Sequence, residues 1–301
     1  MEVVRAKTAG FCMGVILALQ KLNELVKNGK VQGPIHTLGP IIHNPQVLLE
    51  YAQKGVLVAS SVEDIPPEAT AVIRAHGVSR NVMESLRQKR IHIIDATCPK
   101  VKKAQLLIEK QAREGRMLLL YGEESHPEVT GLLSYADAGA FIFDRKEKLY
   151  EYPLTPGQRY CLAAQTTQDR RIFDEIADTL RSKPDLDVAV VQTICDATKD
   201  RQEETVSIAR DVDFMVVVGG FESGNTRRLT QVISAQDTPC LHVETARELP
   251  LDTLKAFPKI GLTGGASTPK ELIDEIQNIL ENSSDPEVSG QGLEPWEEDP
   301  E

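Results

Sequence analysis

Short apolar runs recur along the whole chain, and between many of them the apolar positions fall three and four residues apart. The runs Val3–Ala6, Ile35–Leu38, Val56–Ala59, Ala71–Arg74, Ile91–Ile94 and Met117–Tyr121 read as strands. So do Ala140–Phe143, Tyr160–Ala163, Val188–Val191, Phe214–Val218, Cys240–Val243 and Ile260–Leu262. Val15 to Val26 and Arg201 to Ala209 read as helices. This alternation predicts an α/β fold with parallel sheets, since parallel neighbours need a crossover, usually helical. His43-Asn44-Pro45, His126-Pro127-Glu128 and Ser267-Thr268-Pro269 suit helix starts in which a polar cap precedes a proline of the first turn.

Three cysteines share one local setting. Cys12, Cys98 and Cys195 each follow an apolar strand-like run and precede a helical one, with gaps of 86 and 97 residues. That recurrence predicts three related units, 1–97, 98–194 and 195–281, followed by an acidic stretch at 282–301. Each unit repeats further polar turns. His43, His126 and Asn225 lie 28 to 31 residues after their cysteine, and His76, Thr166 and Ser267 lie 64 to 72 residues after it. Ligands of open parallel sheets bind beyond the carboxyl ends of the strands, so three facing units would bring these turns to one centre.

Charge changes the picture only at the end of the chain. The net charge is −11, and residues 282–301 hold seven acids with no lysine or arginine, which leaves −4 for the rest. That segment reads as disordered, and a mildly acidic body argues against nucleic-acid binding. The apolar runs are strand-sized and no basic, apolar leader is present, so neither a membrane span nor a secretion signal is expected. Five cysteines at wide, irregular spacing suit reduced thiols or metal ligands in a cytoplasmic protein.

The chemistry collects at the turns. Thiols at helix N-termini are expected to have a lowered pKa, which suits metal ligation, so Cys12, Cys98 and Cys195 are candidate ligands. Three thiolates on a 4Fe-4S cluster would leave one iron open. Cys161 and Cys240 lack the turn setting and read as small core residues. His43, His76 and His126 with Ser223, Asn225 and Ser267 could hold a phosphate or diphosphate among helix N-termini. No Walker-type loop points to a nucleoside triphosphate. Glu128, two residues after His126, is the candidate proton donor, and Thr166 and Thr167 could position a hydroxyl or cap a helix.

The chain resembles the LytB family over residues 1–280. The resemblance rests on Ala9-Gly10-Phe11-Cys12-Met13-Gly14-Val15, Gly39-Pro40-Ile41-Ile42-His43-Asn44-Pro45, Arg74-Ala75-His76-Gly77-Val78 and Asp95-Ala96-Thr97-Cys98-Pro99. It continues through Gly122 to Glu128, Gln165-Thr166-Thr167, Thr193-Ile194-Cys195 and Ser223-Gly224-Asn225-Thr226. It implies a trefoil of three α/β domains with small parallel sheets around a central 4Fe-4S cluster on Cys12, Cys98 and Cys195. The implied reaction is reductive dehydroxylation of 4-hydroxy-3-methylbut-2-enyl diphosphate to isopentenyl and dimethylallyl diphosphates, the last step of the methylerythritol phosphate route. Reduced ferredoxin or flavodoxin is the implied electron donor. On that resemblance His43, His76, Ser223, Asn225 and Ser267 hold the diphosphate, while His126, Glu128 and Thr166 face the hydroxyl end, with Thr167 and Thr198 as neighbours. Phe221-Glu222 departs from the lysine and small polar residue of many relatives, which puts a negative charge beside the phosphate loop. The rival readings are a noncatalytic iron-sulfur redox sensor, in which Glu128 would be dispensable, and a zinc-stabilised module, which the wide thiol spacing disfavours.

Overall fold

The computed structural model describes residues 1–28 and 33–283. Strand β1 (Glu2–Arg5) leads through α1 (Met13–Asn28) to β2 (Ile35–Leu38), α2 (Pro45–Gln53), β3 (Leu57–Ala59), β4 (Thr70–Ile73), α3 (Arg80–Gln88) and β5 (His92–Asp95). The middle stretch holds α4 (Pro99–Arg113), β6 (Met117–Tyr121), α5 (Pro127–Leu133), β7 (Ala140–Phe143), α6 (Lys146–Glu151), β8 (Arg159–Ala164), α7 (Arg170–Arg181) and β9 (Asp187–Val190). The last comprises α8 (Asp196–Ala209), β10 (Phe214–Val218), α9 (Gly224–Ser234), β11 (Cys240–Val243), α10 (Leu251–Leu254), β12 (Lys259–Gly264) and α11 (Lys270–Asn282). Every predicted strand forms, with ends displaced by two residues or fewer.

The strands make three four-stranded parallel sheets, ordered β3-β2-β4-β5, β7-β6-β8-β9 and β11-β10-β12-β1. The three orders are the same pattern. The sheet assignments part from the expected unit 1–97 at one place: β1 pairs with β12, Val3 opposite Ile260 and Val4 opposite Gly261. In the first sheet β5 fills the place beside β4, and in the third β1 fills the corresponding place beside β12.

Each sheet therefore ends on a strand that hands the chain to the next sheet. After β1, helix α1 packs Val15, Ala18, Leu19 and Leu22 against Ile41, Ile42, Val47 and Val72 of the first sheet's unit. After β5, Ala104 and Ile108 of α4 pack on Leu118 and Leu120 of the second sheet. After β9, Ala209 of α8 packs beside Met215 and Val217 of the third. Burying such side chains stabilises each handover by roughly 2 kcal/mol per Leu or Ile. The three cysteines sit at the three handovers.

Cys161 lies in the core of the second sheet, 1% exposed. Cys240, also expected inside, is only partly buried, because β11 is an edge strand. The acidic stretch lies, from residue 284 on, outside the described residues. No helix among the described residues is long and apolar enough to cross a membrane.

Candidate active site

Parallel strands send all their carboxyl ends to one side of a sheet, and here each sheet sends three loops to a shared centre. The loops after β2, β6 and β10 carry His43, His126 and Ser223. Those after β4, β8 and β12 carry His76, Thr166-Thr167 and Ser267, and those after β5, β9 and β1 carry Cys98, Cys195 and Cys12. One cavity is lined by all of these, with Glu128, Thr198 and Asn225. All thirteen candidate residues line it, although they span 255 residues of sequence.

Local rules explain why each side chain points inward. Asn44 caps α2, its Oδ1 accepting from Val47 N at 3.0 Å, and Pro45 follows at the first helical position. His126 caps α5 through Nδ1, which accepts from Glu128 N at 3.1 Å and leaves Nε2 for the cavity. Ser223 caps α9 with Pro absent, its hydroxyl accepting from Thr226 N. At the third proline turn the helix starts one residue later than expected, with Pro269 itself in the cap position of α11.

The cysteine loops are tied by one repeated bond. Cys12 N donates to Ala266 O at 3.0 Å, Cys98 N to Ala75 O at 2.9 Å and Cys195 N to Thr166 O at 3.0 Å. That register makes Thr167, rather than Thr166, the counterpart of His76 and Ser267. The thiols converge: a Cβ at Gly14 would stand 2.5 Å from Cys98 Sγ and 3.9 Å from Cys12 Sγ. Only glycine lets the first turn of α1 approach that closely. Each cysteine also sits at or next to a helix start, so backbone N–H groups of Lys100 and Val101, and of Ala197 and Thr198, reach Cys98 and Cys195. The expected lowering of thiol pKa is nevertheless overturned for these two. Burial raises both thiols, and it outweighs the backbone hydrogen bonds. Three converging thiols are a donor set that fits an iron-sulfur group.

On the other side of the cavity three imidazoles cluster. Ring centroids are 4.8 Å apart for His43 and His76, 5.3 Å for His76 and His126, and 6.0 Å for His43 and His126. Desolvation holds all three below the ordinary histidine range, His126 at about 3 and His76 well below it, and Arg74 adds repulsion in each case. His43 Nε2, His76 Nδ1 and Asn225 Nδ2 are buried without a hydrogen-bond partner. Ser267 Oγ donates to His43 O at 3.1 Å and lies 3.4 Å from Ser223 Oγ, joining the third sheet's loops to the first's. The imidazole donor atoms all lie within 4.8 Å of one another, close enough to consider a divalent metal. The surrounding field decides against it: the charges of Arg74 and Arg227 bear on the cluster, and both favour an anion over a dication. Glu222 is exposed, and its charge on His43 is the smallest of the resolved influences.

Between thiols and imidazoles lies Glu128, 1% exposed. Its Oε1 accepts from Thr166 N at 2.6 Å and its Oε2 from Thr166 Oγ1 at 2.8 Å. Burial raises its pKa to about 7, against the lowering effect of both Thr166 bonds. A carboxyl in that range holds a proton near neutrality and can release it.

The sequence reading gave no role to Arg74, Arg201, Arg227 or Gln165. Gln165 Oε1 accepts from Glu123 N at 3.0 Å and Nε2 donates to Thr167 Oγ1 at 3.1 Å, bracing two of the loops. Arg227 pairs with Glu123 at 2.6 Å across the second and third sheets. The one usable signal was position, since Arg74 and Gln165 each directly follow a strand.

Comparison with known proteins agrees with this geometry. The family model described as LytB protein matches residues 3–281. A 4-hydroxy-3-methylbut-2-enyl diphosphate reductase of Solidesulfovibrio magneticus is 53% identical over 285 residues, covering 94% of this chain and all of the relative. The solved E-1-hydroxy-2-methyl-but-2-enyl-4-diphosphate reductase of Plasmodium falciparum superposes with a TM-score of 0.87 at 28% identity, over 93% of this chain and 88% of that one. A second solved structure, described as the terminal enzyme of the non-mevalonate pathway, gives 0.66 at 36% identity over 94% of this chain and 100% of its own. With its family match spanning nearly the whole described fold and relatives this similar, the chain belongs to the LytB family.

Proposed function

We propose that this chain is a cytoplasmic 4-hydroxy-3-methylbut-2-enyl diphosphate reductase. It removes the substrate's hydroxyl as water, taking up two electrons and two protons, and yields isopentenyl and dimethylallyl diphosphates. The observation that carries the reading is the placement of Glu128, a buried carboxyl with a pKa of about 7, between three thiols and an anion cradle. Cys12, Cys98 and Cys195 would hold a 4Fe-4S cluster, which when bound supplies single electrons and an iron with an open position.

This chain's own residues do the rest. The imidazoles of His43 and His76, the hydroxyls of Ser223 and Ser267 and the Asn225 amide take the diphosphate. Their unsatisfied donors make that anion a better occupant than water-filled space. Holding the diphosphate there points the allylic alcohol toward Glu128, Thr166 and His126. Hydroxide is a poor leaving group, so a proton delivered from Glu128 to the departing oxygen lowers the barrier, and Thr166 fixes both carboxyl oxygens for that transfer. Thr167 and Thr198 line the walls. The second proton adds to either end of the allylic fragment, which accounts for two products. Electrons come from a reduced ferredoxin or flavodoxin.

Anaerobic turnover of the substrate by cluster-reconstituted protein with a chemical reductant tests the proposal. Wild type forms both products, and Glu128→Gln forms them about 10²- to 10⁴-fold more slowly, the usual contribution of a general acid. Equal rates would remove Glu128 from the proton path. No product from protein with full iron and sulfide content would leave a redox sensor as the reading.

A further inference from the structure

Arg201 is an anomaly in the charge distribution. It lies in the second turn of α8, six residues after Cys195, and is 3% exposed. A buried arginine normally pairs with a carboxylate, since removing a lone charge from water is costly. Here Nη1 donates to Gly264 O at 2.7 Å and Nη2 to Gly10 O at 3.0 Å, while Nε has no partner. Among the described residues no salt bridge reaches it. The groups whose negative charge bears on it are Cys12 first, then Glu204 and Cys195. Glu204 is engaged elsewhere, accepting from Lys7 N at 2.8 Å, Thr8 N at 2.8 Å and Thr8 Oγ1 at 2.6 Å.

The two carbonyls it binds belong to the loops that carry the site. Gly10 lies two residues before Cys12, and Gly264 ends β12, just before the Ser267 loop. The guanidinium thus ties the loop that carries Cys12 to the loop that carries Ser267, with no carboxylate paired to it.

We propose that Arg201 is a positioning residue for the three-thiol centre, its buried guanidinium favouring the more negative, reduced state of the group bound there. The inference rests on the reading of Cys12, Cys98 and Cys195 as cluster ligands. Three thiolates around an iron-sulfur core carry net negative charge, and each electron added deepens it. A fixed cation in a site of low dielectric stabilises the reduced form more than the oxidised one. Arg201 touches neither substrate nor thiol by hydrogen bond, so its influence runs through the field.

The test is a dye-mediated potential titration, followed by electron paramagnetic resonance, on reconstituted wild type, Arg201→Gln and Arg201→Lys. Iron and sulfide analysis of wild type comes first, and failure to assemble a cluster there would defeat the ligand reading instead of this one. At a fixed potential, Arg201→Gln lowers the ratio of reduced to oxidised cluster at least tenfold, equivalent to about 59 mV for one electron. Arg201→Lys stays within about threefold of wild type, because it keeps the charge. A role confined to bracing the two carbonyls predicts that Arg201→Lys falls as far as Arg201→Gln, since lysine cannot span both, and equal ratios in Arg201→Gln and wild type overturn the proposal. If Arg201→Gln does not load iron, Arg201→Lys decides alone: a ratio at least tenfold below wild type overturns the proposal.

Discussion

Glu128→Gln separates the electrostatics of the site from its chemistry. Gln keeps the shape, and its amide can still accept from Thr166 N and donate to Thr166 Oγ1, so packing is preserved while the titration is lost. In the folded protein the carboxyl has a pKa of about 7, against 4.5 for the unperturbed group. A raised folded pKa means the native state binds the proton more tightly than the unfolded chain does. The stability this contributes is fully present below pH 4.5 and is lost as pH rises to about 7. At about 1.36 kcal/mol per pH unit, that window is worth about 3 kcal/mol. The assay is urea unfolding of cluster-free, reduced protein at several pH values from 4.5 to 8.5. The difference between wild type and variant cancels every other titrating group. Wild type should lose about 3 kcal/mol relative to Glu128→Gln across the window. A difference that stays constant with pH would mean that Glu128 titrates like an exposed carboxylate, and it could not then be the neutral acid the mechanism needs.

Thr166→Val removes a hydrogen bond to the ionised carboxylate, so the pKa of Glu128 rises further above 7 and the pH-rate profile moves to higher pH; an unmoved profile would dissociate Thr166 from Glu128. Gly14→Ala forces a methyl into the space held by Cys98 Sγ, and iron content after reconstitution should fall by half or more while the cluster-free protein keeps its circular dichroism. Arg74→Gln removes one favourable charge from the imidazole cluster and should weaken binding of inorganic diphosphate about tenfold, the size of one weakly screened charge pair. Desolvation lowers the imidazole pKa values in the free protein, so diphosphate, by raising them, couples binding to proton uptake. Calorimetry in buffers of different ionisation enthalpy reads that uptake, and an absence of buffer dependence would leave the rings neutral in the complex.

What was legible in the sequence were features set by neighbours along the chain. Cys98 between Ile94 and Pro99 announces a strand end and a helix start, because apolar runs and proline act within a few residues. The same locality exposes His126-Pro127 as a helix cap and Thr166 as a strand-end hydroxyl. The features that escaped depend on remote partners. Nothing near Val3 says that it will lie opposite Ile260, since that partner stands far along the chain. Arg201 stands among polar residues of α8 and reads as a solvent-facing position; only assembly of the Gly10 and Gly264 loops around it buries the charge. The thiol pKa failed for a related reason. A helix N-terminus is visible in sequence and lowers it, but the burial that wins at Cys98 and Cys195 is created by three sheets meeting.

Closure of the ring through β1 explains why a threefold scaffold can host an asymmetric reaction. If β1 had stayed with the first sheet, Cys12 would lie at the end of a dangling strand. Instead its N–H bonds to Ala266, as Cys98 does to Ala75 and Cys195 to Thr166, and the three thiols are held equivalently. The other two loop positions are free to differ within the same backbone. At one, the units cap the next helix with Asn44, His126 and Ser223, the first adding His43 just before its cap. At the other they place His76, Thr167 and Ser267. Two sheets thereby contribute rings and one contributes small hydroxyls. The single acid, Glu128, enters from the second unit alone, where its partner Thr166 replaces the alanines Ala75 and Ala266 of the equivalent loops. An alanine there could supply the backbone N–H but not the hydroxyl, which is why only the second sheet can carry a doubly held carboxyl. Ala75→Thr in the first sheet's loop should therefore leave the proton path unchanged, because no carboxylate faces it: the residue matching Glu128 in that unit is Gln46.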